Sequence, residues 1–284
     1  ASYATAVSMT TQAYYQDRWT TVINNGVAAT IQTKSTDQPN GQVGNCIRII
    51  TSSGSSAAEC CVDQRVENPQ QFAGKTLTFS VWMKSNTNKA GISHYNNQDS
   101  FVAPTNHTGG GAWEKLTLTH TVNATGPTDF RLRLGMSQSG NTVVGVGDYF
   151  EVTEAQMEYG SVATDFEHRS YGEELRLCER YFRTIGVGIS GTGQDTTKVI
   201  FSYEHPVMRA NPTLTMITSA SFIISDDYAQ DHAYTSGYSL DYAQTTVLGG
   251  RIKVQGMSGL QNGERMSILP TSNPVGMFHL SSEL

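Results

Sequence analysis

Apolar side chains fall on every second residue at Leu77, Phe79, Val81 and Met83, at Leu116 and Leu118 with Val122 behind them, and at Phe130, Leu132, Leu134 and Met136. A period of two buries one face of an extended strand and leaves the other, here Thr, Ser, Lys or Arg, to solvent. An α-helix would scatter these side chains to opposite sides, so the chain is committed to β-sheet. Further strands are expected at residues 46–52, 60–66 and 149–157. Across residues 1–168 this makes seven or eight antiparallel segments separated by Gly-, Asn- and Ser-rich turns, the pattern of a jelly-roll β-sandwich. Residues 19–33 hold two β-prone runs around Asn25-Gly26, which supplies the positive φ angles of a type I′ turn and predicts a hairpin.

The first helical signal arrives at Ser170, which caps, with Glu173 completing a capping box. Tyr171, Leu175, Cys178 and Phe182 form one stripe, and Arg180 and Arg183 stand at the dipole's negative end. Residues 186–193 read as a linker. β patterns then resume at Val199, Phe201 and Tyr203, at residues 213–217, and in a hairpin turning on Gly249-Gly250. The expected organisation is a jelly-roll domain over residues 1–168, a short connecting α-helix within 169–185 and a smaller C-terminal β domain over 186–284.

Composition narrows the function. The 284 residues carry 19 Lys and Arg against 25 Asp and Glu, a net charge of −6, and the positives are scattered singly, so no nucleic-acid footprint is expected. No apolar run approaches the roughly 18 residues of a membrane span, and Ala1-Ser2-Tyr3-Ala4 has neither a basic nor an apolar leader region, so neither insertion nor secretion by that route is expected. Cys46, Cys60, Cys61 and Cys178 lack metal spacing. Buried reduced thiols are the expected state, with Cys60–Cys178 or Cys46–Cys61 bridges as alternatives.

Tyr15-Gln16-Asp17-Arg18-Trp19, residues 77–85, Trp113-Glu114-Lys115-Leu116, and the run from Phe150 to Arg169 into the helix and Cys178-Glu179-Arg180-Tyr181 stand out as motifs. Together these segments resemble a family of bacteriophage virion proteins, the tail-fibre and related host-attachment proteins whose jelly-roll domain is similar to carbohydrate-binding modules. Met208-Arg209-Ala210-Asn211-Pro212-Thr213 resembles a further family motif, so the likeness spans about residues 15–216. It implies a noncatalytic protein, made in the host cytoplasm and carried on the virion, that attaches to host cell-surface polysaccharide. It also implies a homotrimer bound to other virion proteins, and it places Glu151 near a carboxylate that holds structural calcium in related modules. Beyond that ion no cofactor or metal is expected. A purely structural adaptor or decoration protein is the main alternative, and a polysaccharide-degrading enzyme a weaker one.

The residues themselves offer little catalysis. Gly186-Val187-Gly188-Ile189-Ser190-Gly191 follows a helix instead of opening one, which is wrong for a phosphate cradle. Residues 188–192 miss the second glycine of a nucleophile elbow. Glu154 and Glu158 share a strand face by alternation and are the one candidate glycosidase pair, although edge solubility and turn anchoring explain them better. The seven histidines show no i, i+4 pair. Two aromatic segments suit sugars: a long Gly- and Asn-rich excursion over residues 93–113 carrying Tyr95, Phe101 and Trp113, and residues 226–242 carrying Tyr228, Tyr234, Tyr238 and Tyr242. Flat rings beside Asn, Asp and Gln acceptors are what a glycan site requires.

Overall fold

A computed structural model describes the chain except for residues 1–4, 17, 35, 42–43, 137–141, 186–188, 217–221, 227–230, 234–238, 257–259, 261, 264, 271–277 and 283–284; the side chains of residues 15–16, 40, 142, 216, 222–226, 231–233, 239–244 and 268–270 are likewise outside it. The chain divides into two compact units, Ala1–His168 and Arg169–Glu283.

In the first unit one sheet has the order β1 (Val7–Ser8), β4 (Ala29–Lys34), β5 (Cys46–Thr51), β14 (Tyr149–Tyr159), β8 (Thr76–Ser85), β11 (Trp113–Thr121). The other runs β10 (Ser100–Asn106), β9 (Ala90–Asn96), β12 (Phe130–Met136), β7 (Cys60–Arg65), β3 (Trp19–Ile23), β2 (Tyr14–Gln16), and a small pair joins β13 (Thr142–Val144) to β6 (Ser55–Ala58). All the pairings in these sheets are antiparallel. The chain changes sheet between β1 and β2, β3 and β4, β5 and β7, β7 and β8, β8 and β9, β10 and β11, β11 and β12, and β12 and β14, which is the wiring of a jelly-roll sandwich. Phe79, Val81 and Met83 of β8 meet Ile92 of β9 and Phe130, Leu134 and Met136 of β12 in one buried core. Each such side chain contributes about 1.5–3 kcal/mol by leaving water.

Two expectations are corrected. Asn25 (φ 51°) and Gly26 (φ 82°) do form the turn, with Val27 N–H donating to Asn24 C=O at 3.2 Å. Its arms are not a hairpin, because β3 pairs with β2 and β7 whereas β4 pairs with β1 and β5. The turn is a corner of the sandwich, and period-two patterning cannot say which sheet a strand joins. Residues 93–113, expected as a long loop, are largely the β9–β10 hairpin and the start of β11. The inward positions of β9 are Ala90, Ile92, His94 and Asn96, so polar residues interrupt the apolar alternation. Asn96 is fully buried, and its Oδ1 accepts the amides of Gln98 and Asp99 at 2.9 and 2.8 Å, closing the hairpin.

The second unit opens with helix α1 (Tyr171–Glu179), where Ser170 Oγ accepts Glu173 N–H at 3.3 Å and Glu173 Oε2 accepts Ser170 N–H at 3.0 Å. The expected stripe is broken, because Phe182 starts strand β15 (Phe182–Ile185) and Tyr171 is 82% exposed. One sheet runs β15, β24 (Phe278–Ser281), β18 (Thr213–Met216). The other runs β20 (Asp231–Ala233), β19 (Phe222–Asp226), β23 (Arg265–Pro270), β16 (Ser190–Gly193), β17 (Lys198–Glu204), β22 (Gly249–Gln255), β21 (Ser239–Thr246). Val199, Phe201, Ile252, Val254, Met266, Phe278 and Leu280 form its core. Part of the expected linker is therefore strand β16. Its Ser-Gly-Thr-Gly sequence shows no apolar alternation because Gly191 must be bare: a Cβ there would lie 2.4 Å from Ile200 O and 2.6 Å from the Phe201 ring.

His94 is the conspicuous polar group of the first core. It is wholly buried, stacked on Phe130 at 5.1 Å and tilted against Phe79 at 5.2 Å, and neither ring nitrogen has a hydrogen-bond partner. Burial, aided by His120 beside it, lowers its pKa to about 4. The unfolded chain takes up this proton below about pH 6.5 and the folded chain only near pH 4, so stability falls as pH is lowered through that window, by up to about 3 kcal/mol. Urea midpoints at pH 7 and pH 5 should show a smaller loss for His94→Phe than for the parent chain; equal losses would place the acid sensitivity elsewhere.

Candidate functional site

The outward face of the β10–β9–β12–β7–β3–β2 sheet gathers two of the predicted aromatics. Strand register sets Phe101, Tyr95, Arg131 and Arg65 side by side across β10, β9, β12 and β7. The next row holds Ser93, Arg133, Asp63 and Thr20, with Tyr14 opposite Thr20 on β2. The same alternation that sends Phe130, Leu132 and Leu134 inward turns Arg131 and Arg133 outward.

Arg133 anchors this face. Its Nε and Nη2 donate to the two Asp63 oxygens at 2.7 Å each, and its Nη1 donates to Glu59 at 2.5 Å. Glu59 is steadied by Asn24, whose Nδ2 donates to it at 2.8 Å and whose Oδ1 accepts its amide at 2.7 Å. The guanidinium is only 5% exposed, and the Phe101 ring, itself 37% exposed, lies over it at 4.8 Å. Phe101 meets Tyr95 at 5.0 Å with the rings tilted by 53°. Arg131 lies 5.3 Å from the Tyr95 ring and is paired with Asp129, which its Nε reaches at 3.0 Å. Cation–π contact and fork-shaped ion pairing thus fix both rings from below. The result is a platform of two partly exposed aromatic rings bordered by charged donors and acceptors, able to take the C–H face of a sugar on the rings and its hydroxyls at the border.

Trp113 is on the opposite sheet, its Nε1 donating to Asp37 C=O at 2.9 Å. Tyr228, Tyr234 and Tyr238 lie outside the described residues, and Tyr242 is on β21 with its side chain outside them. Glu151 is fully buried, with Lys34 Nζ at 3.0 and 3.2 Å from its oxygens and Arg48 in contact. Two cations on one carboxylate do not fit a calcium site, which gathers six to eight oxygens, and the described residues contain no cluster of three metal-ligating side chains. Glu154 and Glu158 do not act as a pair on an even strand. Glu154 has φ 52° and sits in a β-bulge between Thr153 and Gln156, which inserts one extra residue. Glu158 accepts the Thr164 amide at 3.0 Å and so anchors a turn. All four cysteines are unbridged, with Cys46, Cys60 and Cys61 buried.

Sequence reading found the rings but not their supports. The signal was present: Arg131 and Arg133 occupy alternate positions of a strong strand in a chain that is only 15% charged. Arg133→Met should cost about 3–5 kcal/mol, since it leaves Asp63 and Glu59 without their cation. Phe101→Ala, at the exposed side of the network, should cost less than about 1.5 kcal/mol. Urea denaturation of both variants checks this, and equal costs would make Phe101 a packing element instead of part of an open platform.

No family model matches the chain, and no curated protein matches it. Among solved structures it is similar to the enzymatically active domain of tailspike protein 4 of bacteriophage CBA120, at 13% identity and a TM-score of 0.37, over 50% of this chain and 19% of that one. It is also similar to the family 11 carbohydrate-binding module of the cellulosomal cellulase Lic26A-Cel5E of Clostridium thermocellum, at 10% identity and 0.34, over 52% of this chain and 91% of that one. A third is the N-terminal CBM22 tandem domain of Xyn10C from Paenibacillus barcinonensis, at 10% identity and 0.34, over 100% of this chain and 99% of that one. The chain thus spans about a fifth of the tailspike structure it matches.

Proposed function

We propose that this chain is a noncatalytic glycan-binding protein and that it holds sugar on the Tyr95–Phe101 platform. The observation that carries the reading is the pair of rings 5.0 Å apart, partly open to solvent and seated on buried or half-buried arginines. The carboxylates bordering them, Asp63, Glu59 and Asp129, are each ion-paired to Arg133 or Arg131, which suits binding better than proton transfer. The finer reading is attachment of a bacteriophage virion to host surface polysaccharide by a homotrimer docked on other virion proteins. Three linked copies would turn weak, polar sugar contacts into useful avidity.

A structural adaptor is the second reading, and it is favoured by Tyr171, Leu175 and Leu177 of α1, which are 82%, 42% and 42% exposed. The test is binding of the purified chain, with its mass in solution measured by light scattering, to a panel of bacterial surface polysaccharides. Specific binding that weakens about tenfold or more in Tyr95→Ala, Phe101→Ala is expected. Binding that survives this double variant would move the site off the platform, and no binding to any polysaccharide would favour the adaptor.

A further inference from the structure

A second surface has different chemistry and belongs to the second unit. On the seven-stranded sheet, Val199, Phe201, Ile252, Val254 and Met266 point into the core, so their neighbours in sequence point out. Register places Ser267 opposite Ser190 and Arg265 opposite Thr192 on β23 and β16, and Ser202 opposite Arg251 and Ile200 opposite Lys253 on β17 and β22. Thr192 is in turn opposite Ile200, which makes the four strands continuous. Two adjacent outward rows therefore carry four hydroxyls and three cations. The four hydroxyls, Arg251 and Arg265 line an open groove of roughly 660 Å³ together with Asn262, and Lys253 lies beside it in the same row as Arg265.

Arg251 and Arg265 are both exposed, and neither is ion-paired to a carboxylate among the described residues. No carboxylate is among the described side chains lining the groove; Glu204, one row beyond Ser202, bounds the basic area on that side. In the first unit, by contrast, Arg133 is engaged by Asp63 and Glu59 and Arg131 by Asp129. Free guanidinium forks recognise planar or tetrahedral oxyanions, and hydroxyls and an amide recognise sugar hydroxyls. The arginines stand three strand spacings apart across the sheet and one row apart along it, about 16 Å in all, the span of a short oligosaccharide instead of a single small ion. No aromatic ring is among the described residues that line the groove, where a single-stranded nucleic-acid site would stack its bases on such rings.

We propose that this groove binds an acidic polysaccharide, one bearing carboxylate or sulfate groups, with Arg251 and Arg265 as its anionic anchors. The site is independent of the Tyr95–Phe101 platform. The experiment uses the full chain and three immobilised probes, polygalacturonate for carboxylate, dextran sulfate for sulfate and neutral dextran, with a single-stranded oligonucleotide as competitor. One or both acidic probes should bind, neutral dextran should not, and raising salt from 50 to 500 mM should weaken binding because exposed charge pairs are screened. Arg251→Gln and Arg265→Gln should each weaken binding about tenfold, with the thermal midpoint unchanged because both side chains are exposed. Tyr95→Ala, Phe101→Ala should leave this binding intact, which separates the two sites. Acidic-probe binding that is indifferent to both arginine substitutions, absent altogether, or displaced by the oligonucleotide at lower concentration than by free polygalacturonate or dextran sulfate would overturn the assignment.

Discussion

The geometry of the first unit depends on the register of one strand, β12. Phe130, Leu132, Leu134 and Met136 face the core while Arg131 and Arg133 face out, so core packing and platform are two sides of one alternation. A slip of one residue would drive two guanidiniums into the apolar interior and expose the four apolar side chains at once. The strand is held against that slip on both flanks, by β7 through Arg133 and Asp63 and by β9 through the stacking of His94 on Phe130. The platform inherits its rigidity from this double grip, and a binding face needs such rigidity because every rotor frozen on binding weakens affinity.

The opposite sheet solves a similar problem with inverted charge. There the buried group is a carboxylate, Glu151 of the central strand β14, clasped by Lys34 of β4 and Arg48 of β5. In a chain so poor in charge, each sheet thus spends an ion cluster near its middle, on the face away from the core. Buried pairs of this kind are poor sources of net stability but strict about geometry, since any misaligned pairing leaves a charge without its partner.

Much of this was legible in the chain itself. The strong alternation of β8, β11 and β12 marks those strands, and Ser170 with Glu173 marks the start of the helix. Where inward positions are polar, as at His94 and Asn96, the alternation fades and the β9–β10 hairpin reads as loop. Where a strand is glycine-rich to let a neighbour approach, as at Gly191, it reads as linker. The bulge at Glu154 is invisible because one inserted residue leaves the composition unchanged while reversing every later side chain. Tyr95 and Phe101 were legible as rings in a suggestive segment. Their union with Arg131 and Arg133 was not, because it depends on sheet order, which brings β9, β10 and β12 together from separate stretches of sequence.

The place of β14 in its sheet bears on how the protein is made. It lies between β5 and β8, paired to both, and those two strands do not pair with each other. Until residues 149–159 have left the ribosome, that sheet exists as two unjoined halves, each presenting an open edge and half of an uncovered apolar face. Nascent chains in that condition attract one another, which makes the interval between synthesis of β8 and arrival of β14 the moment of greatest exposure to aggregation and the natural point of engagement for chaperones.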